Sequence, residues 1–283
     1  MEPNFYYHNL DPVAFSIGGF AIFWYSLTYL VAFAQFWWLG KLRAARADAP
    51  LKPEQVGDLL FWGVLGIILG GRLGYVLFYV PGELLGDPLL LFRVRDGGMS
   101  FHGGLIGGLT VMWLYGRHLG CGFLRLSEFT APLIPLGLAA GRVGNFIGGE
   151  LWGRHSDAPW AVIFPESIQR GGRHSEVLYQ QYLQGALDEF ARHPSQLYQA
   201  LLEGVALFVV VWLFSSRPRP VGAVGGLFLA GYGLFRFIAE FFRQPDAHLG
   251  FVALDWMTMG QILSLPMIAI GVGLMVYAYR RPA

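Results

Sequence analysis

Long apolar stretches alternate with short polar segments along most of the chain. A helix crosses the core of a bilayer with about 20 mostly apolar residues. Seven stretches approach this length and predict seven transmembrane helices, at residues 15–39, 57–80, 101–116, 127–148, 195–214, 222–242 and 257–278. The third is short and rich in glycine, which makes it the weakest of the set. The pattern predicts an all-α polytopic membrane protein with a single transmembrane domain over residues 1–283.

The longest polar segment between two predicted spans covers residues 149–194. It predicts a small head outside the membrane, inserted between the fourth and fifth spans. Some helix is expected within this head, around residues 175–187.

Basic residues predict the orientation, because short cytoplasmic loops carry an excess of Lys and Arg. If the N-terminus is outside, the short inner segments hold Lys41, Arg43, Arg46, Lys52, Arg117, Arg125, Arg217, Arg219, Arg280 and Arg281. The longer outer segments hold Arg93, Arg95, Arg154, Arg170, Arg173, Arg192 and Arg243. We therefore expect the N-terminus outside, the C-terminus inside and the head on the outer side of the membrane. No Lys or Arg precedes Lys41, so a cleaved signal peptide is not predicted.

The composition agrees with a membrane protein and excludes several classes of function. Hydrophobic residues make up 54% of the chain and charged residues 14%, against about 25% charged residues in soluble domains. The formal net charge of +1 gives no sign of a nucleic-acid partner. The single cysteine, Cys121, lies in an inner loop and cannot form an internal disulfide. Glycines at helical spacing, such as Gly70, Gly74, Gly103 and Gly107, predict helices that approach each other closely.

Three arginines lie within the predicted spans: Arg72, Arg142 and Arg236. An arginine at mid-membrane costs about 2.5–3.5 kcal/mol even on the most lenient scale, so each needs a partner or a function. All three lie in the outer half of a span that runs from inside to outside, which predicts a similar depth for them.

Other polar residues are predicted at that depth. They are Tyr25, ten residues into the first span; His102, at the outer start of the third; Asn145, one turn after Arg142; Glu150, near the outer mouth; and the helical stripe Tyr232, Arg236, Glu240 and Arg243. The structural alternative is that these groups hold helices together, with Arg236 pairing with Glu240 and Arg72 bonding to carbonyls of a neighbour. The shared depth favours a polar chamber open to the outer leaflet.

The chemistry of these residues indicates an anionic lipid as the ligand. Arginine presents a planar, permanently charged fork that matches a phosphate group, and a histidine accepts a proton near neutral pH. These features predict transfer chemistry on a phospholipid. The sequence holds neither a His-Glu-x-x-His motif nor paired metal carboxylates, so no metal and no other cofactor is implied.

Two alternative functions remain open from the residues alone. An anion or phospholipid transporter is one, because residues 71–74 faintly repeat residues 141–144 and transporters often carry repeats. The polar groups, however, gather on one side of the membrane. An intramembrane serine protease is the weaker alternative, since the nearest serine motif, at residues 98–100, lies outside the spans.

The chain resembles the prolipoprotein diacylglyceryl transferase family over nearly its whole length. Four stretches carry the resemblance: GRVGNFIGGELWG at residues 141–153, DGGMSFHGG at 96–104, RHPSQLY at 192–198 and EFFRQPD at 240–246. Two positions depart from the family pattern, which usually has Asn in place of Gly148 and Glu in place of Gln199.

The resemblance implies a multi-pass enzyme of the bacterial inner (plasma) membrane whose active site faces the outer leaflet. Such an enzyme moves the diacylglyceryl group of phosphatidylglycerol to the thiol of the lipobox cysteine of a preprolipoprotein, and glycerol 1-phosphate leaves. The implied catalytic residues are His102, Arg142 and Arg236; our hypothesis assigns His102 as the base and the two arginines to the phosphate. The implied substrate-binding residues are Tyr25, Asn145, Glu150, Gly153, Tyr232 and Glu240, and we add Arg72 because of its predicted depth.

Overall fold

The computed structural model describes residues 3–93, 97–245 and 249–280. Within these ranges the chain is mostly helical. The α-helices are α1 (Trp24–Ala44), α2 (Gln55–Phe78), α3 (Pro81–Gly86), α4 (Phe101–His118), α5 (Gly122–Thr130), α6 (Pro135–Gly148), α7 (Pro165–Ile168), α8 (Glu176–Leu183), α9 (Ser195–Gln199), α10 (Leu207–Phe214), α11 (Ala223–Ala239) and α12 (Met259–Arg280). The strands are β1 (Tyr6–Tyr7), β2 (Val13–Ile17), β3 (Phe20–Phe23), β4 (Val162–Ile163) and β5 (Ala191–Arg192).

These elements form two compact units. The described residues of 1–35 and 131–283 make up the first unit, and those of 36–130 the second. Three helical stretches in the described residues are long and apolar enough to cross a membrane: Gln55–Phe78, Ser195–Phe214 and Met259–Arg280. A shorter apolar helix, Ala223–Ala239, accompanies them. The chain is membrane-embedded, while the count of seven spans stays a prediction.

The start of the first predicted span is a β-hairpin and not a helix. Strands β2 and β3 pair antiparallel, and Gly18 and Gly19 join them with φ of 56° and 85°. Two consecutive positive φ values suit a tight hairpin turn and favour glycine. Helix α1 therefore begins at Trp24, and Tyr25 lies in its first turn instead of ten residues inside a span. The all-α prediction is wrong for this segment and for the small sheet of the head.

Three other predicted spans also differ from a simple helix. Residues 127–148 are broken by a 3-10 helix, Ala131–Leu133, after which Pro135 opens α6; proline favours a first helical turn and interrupts a continuing helix. The fifth stretch is continuous but contains a π-helix, Ala200–Ala206, between α9 and α10. The helix of the sixth predicted span, α11, ends at Ala239 instead of residue 242, and Glu240 is its C-cap residue.

Helices α2 and α4 of the second unit pack through glycine. A Cβ atom added to Gly70 would meet the backbone of Gly103 and Gly107, and one added to Gly107 would meet that of Gly66. The close approach predicted from glycine spacing is confirmed here. The weak third stretch is a helix of 18 residues, α4.

The head belongs to the first unit and has a small core of its own. Strand β4 pairs parallel with β1 and antiparallel with β5. Buried residues pack around this sheet: Tyr7, Ala161, Ile163, Leu178, Leu187 and Ala191. Helix α8 confirms the helix predicted around residues 175–187.

Candidate functional site

Helix α6 carries Arg142 and Asn145 one turn apart and ends beside a third polar residue, Glu150. Gly149 caps the helix with a left-handed φ of 66°, which turns the chain back toward its own last turn. The amide Nδ2 of Asn145 donates to Oε1 of Glu150 at 3.1 Å. The backbone N–H of Glu150 also donates to the carbonyl of Asn145, at 3.1 Å. Two residues predicted separately therefore form one amide–carboxylate pair.

An open cavity of about 370 Å³ lies beside this pair in the first unit. It is lined by Pro12, Phe23, Trp24, Tyr25, Ser26, Gly144, Gly148 and Glu150. The hydroxyl of Tyr25 lies 3.1 Å from that of Tyr29. Gly148, where the family pattern has Asn, lines the cavity without a side chain. The cavity offers hydroxyl and carboxylate groups of the kind that bind a polar lipid headgroup.

Arg236 of α11 is the centre of a buried ionic cluster. Its Nη1 donates to Oε1 of Gln199 at 2.8 Å, and its Nη2 pairs with Oε1 of Glu240. Glu240 is fully buried and also pairs with Arg243 at 3.4 Å. The hydroxyl of Thr258 donates to the second carboxylate oxygen of Glu240 at 2.7 Å. The three charged members of the predicted stripe pair with one another, although Arg236 alone lies within α11, which ends at Ala239.

Tyr232 lies one turn before Arg236 on α11. Its ring stacks on Phe228 with the centroids 6.2 Å apart and packs against the buried residues Ala131, Leu207, Val211 and Val224.

Glu203 joins Arg142 to the cluster, and the sequence reasoning missed it. Its carboxylate lies 3.4 Å from Nη1 of Arg236 and 3.8 Å from Nη2 of Arg142. Glu203 is the acidic residue within the apolar stretch 195–214, so the cost of a charge in a span would have identified it just as it identified the arginines.

Within the described residues, the ion pairs of the cluster share two carboxylates among three arginines. Three guanidinium groups, those of Arg142, Arg236 and Arg243, face the two carboxylates of Glu203 and Glu240. Arg142 keeps 23% of its side chain exposed. A partly exposed arginine close to a second guanidinium is suited to a monoanion such as a phosphodiester.

Arg72 of the second unit has a different environment. Its Nε and Nη2 donate to the carbonyl of Leu90 at 3.2 and 2.6 Å, and its Nη1 donates to the carbonyls of Gly97 and Gly98 at 2.5 and 3.2 Å. The residue is only 3% exposed. Bonds to backbone carbonyls occupy the guanidinium, which favours the structural alternative over contact with a lipid.

His102 and Cys121 also belong to the second unit. His102 is exposed in the first turn of α4, after the N-cap residue Ser100. Asp96 and Asp246, which the quoted stretches include, lie outside the described residues. Burial raises the pKa of the Cys121 thiol, which disfavours the thiolate that a nucleophile requires.

Gly153 lies between two closely packed chain segments. Its N–H donates to the carbonyl of His193 at 2.9 Å. A Cβ atom at this position would collide with the carbonyls of His193 and Phe242. Glycine is therefore required for two chain segments to pass on either side of it.

The head is attached to the end of α6 by His8 and Arg173. Nε2 of the buried His8 lies 2.7 Å from the carbonyl of Phe146, and Nη2 of Arg173 donates to the carbonyl of Gly148. Burial lowers the pKa of His8; nearby Arg173 acts in the same direction, and the bond to Phe146 opposes it.

Glu166 pairs with Arg173 at 3.2 Å. Burial alone would raise the pKa of Glu166. The N–H groups of Gly171 and Arg173, together with the guanidinium of Arg173, bring that pKa below its usual value. His8 is therefore neutral and Glu166 charged at neutral pH.

Comparison with known proteins identifies relatives over almost the whole chain. The family model described as prolipoprotein diacylglyceryl transferase matches residues 12–277. A phosphatidylglycerol–prolipoprotein diacylglyceryl transferase of Ectopseudomonas mendocina is 51% identical over 275 residues, which is 97% of this chain and 96% of the relative. The protein of the same name from Azotobacter vinelandii is 51% identical over 277 residues, or 98% of this chain and 97% of the relative. One from Pseudoalteromonas atlantica is 51% identical over 280 residues, or 98% of this chain and 92% of the relative.

Proposed function

Because the chain belongs to the prolipoprotein diacylglyceryl transferase family, we propose that it carries out the reaction for which its relatives are named. The diacylglyceryl group of phosphatidylglycerol moves to the thiol of the lipobox cysteine of a preprolipoprotein. A carbon–sulfur bond forms, and the bond between the glycerol carbon and the phosphate oxygen breaks. The products are a thioether and glycerol 1-phosphate, and no cofactor enters this balance.

The observation that carries the proposal is the arrangement of Arg142 and Arg236 around the carboxylate of Glu203. The leaving phosphate changes from a diester with one negative charge to a monoester with nearly two. Two fixed guanidinium groups therefore bind the transition state more tightly than the substrate, and this difference accelerates the reaction. In this proposal Glu240 holds Arg236 in place.

The remaining roles follow from the chemistry of the step. The peptide thiol, with a pKa of about 8.5, must lose its proton before it attacks. We assign the acceptance of that proton to His102, because a histidine accepts a proton near neutral pH. Tyr25, Asn145 and Glu150 line or adjoin the cavity of about 370 Å³ and bind the lipid headgroup. The nucleophile belongs to the substrate, so Cys121 takes no part.

We further propose a location in the bacterial inner membrane, with seven spans, the N-terminus outside and the active site facing the outer leaflet. The excess of basic residues in the short loops assigned to the inside supports this orientation. The lipobox peptide would then meet the site after its export.

The test is a reaction of the purified protein with phosphatidylglycerol and a lipobox peptide. We expect equimolar release of glycerol phosphate and formation of a diacylglyceryl peptide. A peptide with serine in place of the lipobox cysteine should release no glycerol phosphate. Movement of the lipid across vesicles without either product would contradict the proposal and support the transporter alternative.

A further inference from the structure

The π-helix Ala200–Ala206 brings a carboxylate to the point between the two arginines. π-Helical segments are rare and frequent at functional sites. The segment is fixed against α6, because Gly204 packs on Ala139 so closely that a Cβ atom would clash. Glu203 lies within it, and its side chain is only 1% exposed. The packing of one helix on the other therefore sets the position of this carboxylate.

The two oxygens of Glu203 have different environments. Oε1 accepts a hydrogen bond from Nη1 of Arg236 at 3.4 Å. Oε2 is buried without a hydrogen bond from any described group and lies 3.8 Å from Nη2 of Arg142. The contact of Oε2 with Arg142 is therefore a Coulomb attraction that leaves the N–H donors of Arg142 to other acceptors.

The two arginines depend on Glu203 to different degrees. Arg236 has Gln199 and Glu240 as further partners. Among the described residues, Glu203 is the carboxylate that pairs with Arg142. Loss of the Glu203 charge would leave Arg236 held in place and would leave Arg142 without a counterion beside another cation.

We propose that Glu203 is a positioning residue that holds the guanidinium of Arg142 opposite Arg236, so that both cations reach one phosphate. This inference rests on the proposed function. The carboxylate cancels the repulsion between the two arginines before the lipid arrives. Its removal raises the net charge of the cluster, which favours binding of the anionic lipid while the alignment for the transition state is lost.

The test compares three variants with the wild type in turnover, in KM for phosphatidylglycerol and in thermal stability in detergent. Glu203→Gln keeps the shape and removes the charge. Gln199→Glu/Glu203→Gln moves the charge one helical turn away, to a side chain that contacts Arg236. Glu176→Gln removes an exposed carboxylate of the head and serves as the matched control.

For Glu203→Gln we expect kcat to fall about 10²-fold, the usual effect of a small misplacement, with an unchanged or lower KM. The double variant should regain thermal stability but not kcat, since Arg142 still lacks its carboxylate. If the double variant recovered both thermal stability and kcat, the inference would be overturned, because the net charge of the cluster and not the position of the carboxylate would then determine the rate. A kcat within twofold of wild type in Glu203→Gln would also overturn it.

If Glu203→Gln does not fold, Glu203→Asp replaces it, because the shorter side chain keeps the charge but withdraws it from Arg142. We then expect a lower kcat at nearly unchanged stability, and unchanged kcat overturns the inference. The wild type and Glu176→Gln test the proposed function separately. If neither releases glycerol phosphate, the proposed function fails, whereas loss confined to the Glu203 variants supports the inference.

Discussion

The amide of Asn145 donates a hydrogen bond to the carboxylate of Glu150 across 3.1 Å, at the end of α6 and beside the cavity. Asn145 supplies the donor and Glu150 the acceptor, so the hydrogen bond requires an amide at one position and a carboxylate at the other. Asn145→Asp replaces the donor with a second acidic group, and two adjacent carboxylates repel. We expect kcat/KM for phosphatidylglycerol to fall at least about tenfold, equivalent to the loss of one charged hydrogen bond.

The exchange of both residues is the control for this prediction. Asn145→Asp/Glu150→Gln restores one amide and one carboxylate in reversed order, and part of the activity should return. Glycerol phosphate release measures both variants. Equal losses in the single and double variants would show that the pair does not act as a unit.

Replacement of each arginine of the predicted spans by lysine separates a phosphate contact from a structural bond. Lysine keeps the charge and loses the planar fork. At Arg142 and Arg236 we expect turnover to fall about 10²-fold while the thermal midpoint stays close to that of the wild type. Normal turnover with lowered stability at both positions would contradict the phosphate-binding role.

Arg72 is the internal comparison for that series. Its guanidinium donates to three backbone carbonyls, and lysine cannot reproduce this geometry. We expect Arg72→Lys to lower the free energy of unfolding by about 2–3 kcal/mol and to keep normal turnover per folded molecule. Thermal unfolding in detergent and turnover, measured on the same samples, test this expectation.

His102→Gln should impair the chemical step more than lipid binding. Loss of a general base usually reduces the rate by about 10²–10⁴. We expect a kcat reduction in that range at neutral pH and little change in KM. Recovery of activity at alkaline pH, where the thiol ionises unaided, would support His102 as the general base. Normal activity of the variant at neutral pH would show that His102 is a surface residue without a catalytic role.

The burial of His8 makes the stability of the folded protein dependent on pH. Folding lowers the pKa of His8 from the usual value of about 6.5, so the unfolded chain binds the proton more readily. The stabilisation is fully present above pH 6.5 and is lost as the pH falls through the folded-state value. Thermal midpoints between about pH 7.5 and pH 5 should decrease less in His8→Gln, which does not titrate. Parallel decreases in the two proteins would exclude His8 as the origin.

The convergence of Arg142 and Arg236 could be predicted from the sequence because a charge in an apolar span has few ways to be satisfied. The same rule applies to Glu203, the acidic residue within the apolar stretch 195–214. Arg72 and Arg142 look alike in sequence, since each lies in a Gly-Arg-x-Gly motif. They differ because carbonyls at residues 90, 97 and 98 surround only the first, and the path of that loop depends on contacts that no local pattern contains.

The hairpin β2–β3 was misread for a different reason. Its residues are almost all apolar, and a short apolar run does not distinguish a strand from a helix by periodicity. The pair Gly18–Gly19 was the available signal for a turn. The π-helix at Ala200–Ala206, which packs against α6 through Gly204, has no comparable local signal in the sequence.

The glycine contact of α2 with α4 has a consequence for how the second unit assembles in lipid. Apolar side chains gain nothing by leaving hydrocarbon for one another, so helix pairing there depends on close van der Waals contact. Glycine has no rotamers to restrict, and the two backbones can join without loss of side-chain entropy. This advantage disappears with a single methyl group, since even an alanine at Gly103 would meet the carbonyl of Gly70. The two helices therefore pair at little entropic cost, but the pairing tolerates no larger side chain at these positions. The assembly of a newly inserted chain at this step depends on its glycines.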